Sequence, residues 1–156
     1  MDDSSVIVPL SDSEARALAE AADKRGLAAP RVLIQVNTGA EPQKAGVLPI
    51  EADALVRAAR DTYGLSVEGL MCIPPAQEPG DAHFALLREI AARHGLLLMS
   101  DEIYDGITYD GARFEPLAPI AGDVPCLSFG GLSKVHRACG WRVGWAVLSG
   151  DAAATR

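Results

Sequence analysis

The chain has 156 residues, 49% of them hydrophobic, which suits one folded domain with a core of its own rather than a disordered segment. A net charge of -7 argues against nucleic acid as a partner, because a phosphate-backbone binder needs a basic face. Cys72, Cys126 and Cys139 are odd in number and scattered, and neither they nor His83, His94 and His136 have metal-ligand spacing, so no disulfide framework and no zinc site is expected.

In chain order, "MDDSSVIVPLSDSE" is acidic and has neither a basic start nor a long apolar run, so it does not read as a secretory signal. Its acids, Asp2, Asp3, Asp12 and Glu14, read as a solvated end and a helix cap. Residues 11–26 open on Ser and Asp, carry alanines and leucines at helical spacing and stop at Gly26, which predicts a helix. "RVLIQV" at 31–36 predicts a buried strand. Residues 49–64 predict a second helix, from Pro49 to Gly64, and "SVEGLMCI" at 66–73 a strand halted by Pro74 and Pro75. Residues 81–95 predict an amphipathic helix with Phe84, Leu87, Ile90 and Ala91 on one face. Strands follow at 96–104, 125–129 and 141–149, and the stretch 105–123 is aperiodic enough to be a functional loop. "LLLM" at 96–99 is far too short to span a bilayer, so the expectation is a soluble, cytoplasmic chain that does not enter a membrane. Strands alternating with helices predict a single compact α/β domain with a mainly parallel sheet, either three-layered or a partial barrel.

Open α/β sheets bind ligands beyond the carboxyl ends of their strands. Asp101, Glu102 and Tyr104 fall at one such end, and Lys134 lies just past another, among Gly130, Gly131 and Ser133 on an expected tight turn. A partly buried amine there could form a Schiff base, and the planar fork of Arg142 suits a phosphate. Amine, acid, phenol and guanidinium together point to pyridoxal phosphate. On pattern alone, a surface lysine, an exposed acid pair and a solvated arginine stay open as the plainer reading. Trp141 and Trp145 would share one face of a strand, which predicts core packing. His136 and Arg137 read first as a solvated pair, and "GAEPQKAG" lacks P-loop spacing.

"HGLLLMSDEIYDGITYDG" followed by "VPCLSFGGLSKVHRACGWRVGW", within residues 88–150, resembles the class I aminotransferases of fold type I, in the alanine-aminotransferase-like branch. By position, the resemblance implies Lys134 as the Schiff-base lysine and Asp101 as the acid that keeps the pyridine nitrogen protonated. It implies Tyr104 on the ring hydroxyl, with Ser133 and Arg142 at the phosphate. Amino-acid and 2-oxo-acid substrates and a homodimer are implied as partners.

Residues 13–95, above all "QVNTGAEPQKAG" and "GLMCIPP", resemble instead the pyridoxal-phosphate homeostasis family, a barrel of fold type III. That family's own lysine and phosphate-gripping segments have no counterpart here, and Lys44 is not assigned to the role. The chain therefore divides into a barrel-like segment, 1–95, and an aminotransferase-like segment, 96–156, in the manner of a fusion. The aminotransferase phosphate cup, stacking aromatic and substrate-carboxylate arginine have no counterpart either, and Asn37 in "VNTGAEP" is only a weak match to the ring-oxygen asparagine. Three functions follow: pyridoxal-phosphate-dependent transamination, a non-catalytic chimeric α/β domain, or a cofactor-carrier role.

Overall fold

A computed structural model describes residues 10–151, so Asp2 and Asp3 lie outside the described residues. Helix α1 (Asp12–Lys24) opens on a reciprocal cap. The Glu14 N–H donates to Ser11 Oγ at 3.4 Å, and the Ser11 N–H donates to Glu14 Oε2 at 2.7 Å. The Ser11 side chain, then its backbone, holds the Glu14 carboxyl below the usual carboxylate range. Asp12 accepts from the Tyr63 hydroxyl at 3.0 Å, tying this helix to the next.

Strand β1 (Arg31–Gln35) is buried from Val32 onward. Helix α2 (Pro49–Arg57) starts on a proline, whose missing N–H would be unpaired in the first turn anyway. The single helix expected to Gly64 instead widens into a π turn at Ala58–Thr62, where the Tyr63 N–H reaches back to Ala58 O. Strand β2 (Ser66–Met71) ends short of the two prolines, and helix α3 (Gly80–His94) closes on Gly95 in the left-handed region at φ 61°. Strand β3 (Leu98–Asp101) follows.

Helix α4 (Leu117–Ala121) interrupts the stretch read as an aperiodic loop. Its first free N–H, from Leu117, donates to the Glu102 carboxylate at 3.0 Å, a cap supplied from fifteen residues away. Strand β4 (Cys126–Gly131) takes in both Gly130 and Gly131, which were expected on a turn. A single 3₁₀ turn at Cys139–Trp141 leads to β5 (Gly144–Ser149).

The strands stand side by side in chain order. β1 pairs parallel with β2, and β3 parallel with β4, while β5 returns antiparallel along β4. One parallel bridge, Gly69 to Leu97, joins the two sheets. α2 packs against α3, and α3 against α4, so the crossover helices form one layer on one face. Sequential parallel strands with helices packed neighbour on neighbour make a small mixed α/β domain with a mainly parallel sheet, as expected. Ile34, Val56, Ile90 and Leu98 are fully enclosed between the layers.

The other face is open over its carboxyl half. Met99, Phe129 and Leu148 are all exposed there, on alternating positions of neighbouring strands. Trp141 and Trp145 do not pack in a core: they are 74% and 47% exposed, because β5 extends past the helical layer and Trp141 belongs to the 3₁₀ turn. Among the described residues, no helix is long and apolar enough to cross a membrane.

Asp53 on α2 clamps the end of α3, with Arg93 Nη2 donating to Oδ2 at 3.0 Å and His94 Nε2 at 2.7 Å from Oδ1. The Arg93 hydrogen bond, then that of His94, holds the Asp53 carboxyl below its ordinary 3.8. A carboxyl depressed in the folded state contributes stability above its unfolded value, and that contribution disappears as pH falls through the folded value. Asp53→Asn is therefore expected to lower stability at neutral pH by about 0.5–1 kcal/mol. In urea titrations the variant and the parent chain should converge below pH 3.8.

Candidate functional site

Strands β2 and β3 touch once and then part. At Gly69 a side chain has no room: a Cβ there would lie 2.9 Å from Leu97 O and 3.0 Å from Leu33 Cδ2. Beyond that contact no ladder links the strands, and the gap widens toward their carboxyl ends into a cavity of about 870 Å³. Its walls are apolar, with Met71 and Ile73 on one side, Met99 and Phe129 on the other, and Phe84 and Leu117 from the helical layer. Polar character comes chiefly from Asp101 and Tyr104 at the end of β3. An apolar crevice of this size with a few convergent polar groups is the usual form of a small-molecule site.

Asp101 is exposed, and its Oδ1 accepts the Ile103 N–H at 3.3 Å. Glu102 turns the other way, into the helical side, where it caps α4 and accepts from Ser128 Oγ at 3.1 Å. The tight turn 102–107 then lifts Tyr104 to the rim, 55% exposed. Lys134 comes from the separate turn after β4, and its ammonium sits 5.6 Å from the centre of the Tyr104 ring, within cation–π range. The two turns are packed on each other: a Cβ at Gly106 would be 2.8 Å from Val135 Cγ1.

The five residues singled out in the sequence thus divide. Asp101 and Tyr104 line the cavity, and Lys134 reaches Tyr104 at its edge. Lys134, Ser133 and Arg142 all stand outside the lining. The Arg142 guanidinium donates to Cys139 O at 3.2 Å, and Arg142 itself is in the left-handed region at φ 51°, so it is bound to its own turn.

Two residues that the sequence weighs without assigning a role, Asn37 and Lys44, and one it does not single out for the site, Cys72, lie at the loop after β1 and the end of β2. Asn37 is buried, and its amide closes the loop after β1 by donating to Glu41 O at 2.8 Å and accepting the Glu41 N–H at 3.1 Å. Both ends of that side chain are used, which makes it a loop staple. Lys44 donates to Ile73 O at 3.1 Å and Pro74 O at 3.0 Å, fixing the cavity wall from behind. Cys72 also lines the cavity, and burial pushes its thiol up to about 11.

Comparison with known proteins follows the same seam. The family model for the alanine racemase N-terminal domain matches residues 4–97, more than half of the chain. The chain belongs to the alanine racemase N-terminal domain family. The model for aminotransferase class I and II matches residues 80–155, so this family member carries a second match that overlaps the first across α3. Among curated relatives, the alanine aminotransferase of Mycobacterium tuberculosis (strain ATCC 25618 / H37Rv) is 52% identical over 62 residues, 40% of this chain and 14% of that protein. The glutamate-pyruvate aminotransferase AlaA of Escherichia coli (strain K12) is 50% identical over 62 residues, 40% of this chain and 15% of that protein. The chain thus spans about a seventh of the length of the curated relatives it matches.

Among solved structures, PipY of Synechococcus elongatus superposes with a TM-score of 0.51 at 22% identity, over 74% of this chain and 53% of that one. An aminotransferase from Escherichia coli superposes with a TM-score of 0.50 at 36% identity, over 63% of this chain and 24% of that one. Pyridoxal phosphate is the cofactor of both matched families.

Two measurements check this geometry. Gly69→Val should weaken the seam, lowering the urea midpoint by an amount equivalent to about 1–3 kcal/mol, since the obstruction is backbone. Brief alkylation of the native chain at mildly alkaline pH should label exposed Cys139 and spare Cys72 and Cys126, whose thiols burial pushes up. Peptide mass spectrometry reads the pattern, and equal labelling of Cys72 would contradict the buried wall.

Proposed function

We propose that the crevice between β2 and β3 binds pyridoxal phosphate, with Lys134 as its covalent anchor, for amino acid/2-oxo acid transamination. The observation that carries this reading is the ammonium of Lys134 over the Tyr104 ring, at the rim of a cavity that Asp101 and Tyr104 line. The residues fit the ring end of the cofactor: an apolar slot lined by an acid and a phenol, with an amine over the phenol ring. Bound there, the cofactor supplies the electron sink that makes a substrate Cα–H acidic.

In this reading Lys134 holds the cofactor and then takes and returns the Cα proton. Asp101 holds a proton on the pyridine nitrogen, and Tyr104 donates to the ring hydroxyl. Ser133 and Arg142 are assigned to the phosphate, which requires Arg142 to exchange its bond to Cys139 O for the ligand. A cytoplasmic homodimer, built from segments 1–95 and 96–156, belongs to the same reading.

The test is cofactor titration followed by borohydride reduction and peptide mapping. Expected are a visible absorption band, a mass increment on the Lys134 peptide, loss of both in Lys134→Ala, and about tenfold weaker binding in Asp101→Asn. Turnover of alanine with 2-oxoglutarate that disappears in Lys134→Ala supports catalysis. Binding without turnover favours the second reading, a non-catalytic fused domain, whose support is the Arg142 guanidinium turned to its own loop and standing outside the cavity. Binding untouched by Lys134→Ala favours a carrier role for the front segment.

A further inference from the structure

The opposite end of the sheet has a cavity of its own, about 620 Å³, where β2, β3 and β4 begin. Gly95 and Gly122, both left-handed at φ 61° and 58°, end α3 and α4 and lead the chain around it. Ala91, Leu96 and Val124, all buried, give it an apolar floor. Three charged side chains line the same space: Arg88 from α3, Glu68 from β2, and Asp123 after α4.

These opposite charges do not neutralise one another. Arg88 forms no ion pair with either carboxylate among the described residues, and its Nε is buried with no hydrogen-bond partner. A guanidinium that lines the cavity and that no carboxylate of the described chain engages keeps its outer N–H groups for an anionic group there. Glu68 keeps a local bond, accepting from Ser66 Oγ at 2.7 Å. A simple carboxylate ligand would satisfy Arg88 but face two uncompensated acids. A simple amine would satisfy the acids and leave Arg88 unpaired. A zwitterion answers both.

We propose that this cavity binds a free α-amino acid with an apolar side chain. The carboxylate pairs with Arg88, the ammonium lies between Glu68 and Asp123, and the side chain covers the floor of Ala91, Leu96 and Val124. The site is non-covalent, lies at the far end of the strands from Lys134, and does not depend on the cofactor reading.

The test is a titration of the full chain, without cofactor, with L-leucine, followed by backbone amide shifts. Expected are saturable shifts at Ala91, Ala92, Leu96, Leu97 and Val124, with Tyr104 and Lys134 unmoved. N-acetyl-L-leucine, lacking the ammonium, and L-leucinamide, lacking the carboxylate, should each bind about tenfold or more weakly. Arg88→Gln should abolish the shifts. Glu68→Gln, at an exposed strand position, should weaken them in a chain whose spectrum remains dispersed. No saturable shift by about 10 mM ligand overturns the proposal, as does an equal response to the two blocked analogues or shifts confined to the Asp101–Lys134 end.

Discussion

The closest approach between the two sheets is the contact of Gly69 with the Leu97 carbonyl, and the rest of the molecule is arranged around it. A side chain there would hold β2 and β3 apart, so glycine is what lets the first pair of strands join the last three. Because the contact is one bridge and not a ladder, the strands splay on either side of it. The cleft with Asp101 and Tyr104 lies on the carboxyl side, and the Arg88 cavity lies on the amino side. Past the end of β2, the Ile73 and Pro74 carbonyls are satisfied by the Lys44 ammonium.

The seam coincides with the boundary between two family matches. The alanine racemase N-terminal domain model ends at residue 97, and the aminotransferase model begins at residue 80, so both claim α3. That helix can serve both sides, since Leu87, Ile90 and Ala91 are buried in the one core the segments share. A helical layer is tolerant of such a join: it asks for an apolar stripe of the right width and leaves strand register to be set elsewhere. The strands are more exacting, and the one place where neighbouring strands lack a ladder, between β2 and β3, spans the overlap of the two matches.

Much of this was legible in the residues. Helix ends at Gly26, Gly64 and Gly95 and the strand stop before Pro74 are local signals, decided within a turn of chain. Asp101 and Tyr104 could be placed at a strand end because an apolar run gives way there to polar residues. Helix α4 was not legible, since five residues show no period and its cap, Glu102, is remote in sequence. The tryptophans were misread because β5 begins only at Gly144, so Trp141 falls in the 3₁₀ turn and the two do not share a strand face. For Arg142 the sequence offers a planar donor fork, but its left-handed backbone and its bond to Cys139 O depend on the three-dimensional course of the turn. That Asn37 staples its own loop, and that Cys72 lines the cavity, depends on how the loop after β1 folds over the end of β2.

The uncovered β5 has a physical consequence for the chain in solution. Residues Gly144–Ser149 contain no charged side chain and no proline, and among the described residues the far edge of this strand has no neighbour. Natural sheets usually guard such an edge with lysine, proline or a bulge, and here only Arg142, just before the strand, does so. Any pairing of two copies through this rim would set long-range repulsion between surplus acids against short-range strand templating. Added salt would screen the first and leave the second intact.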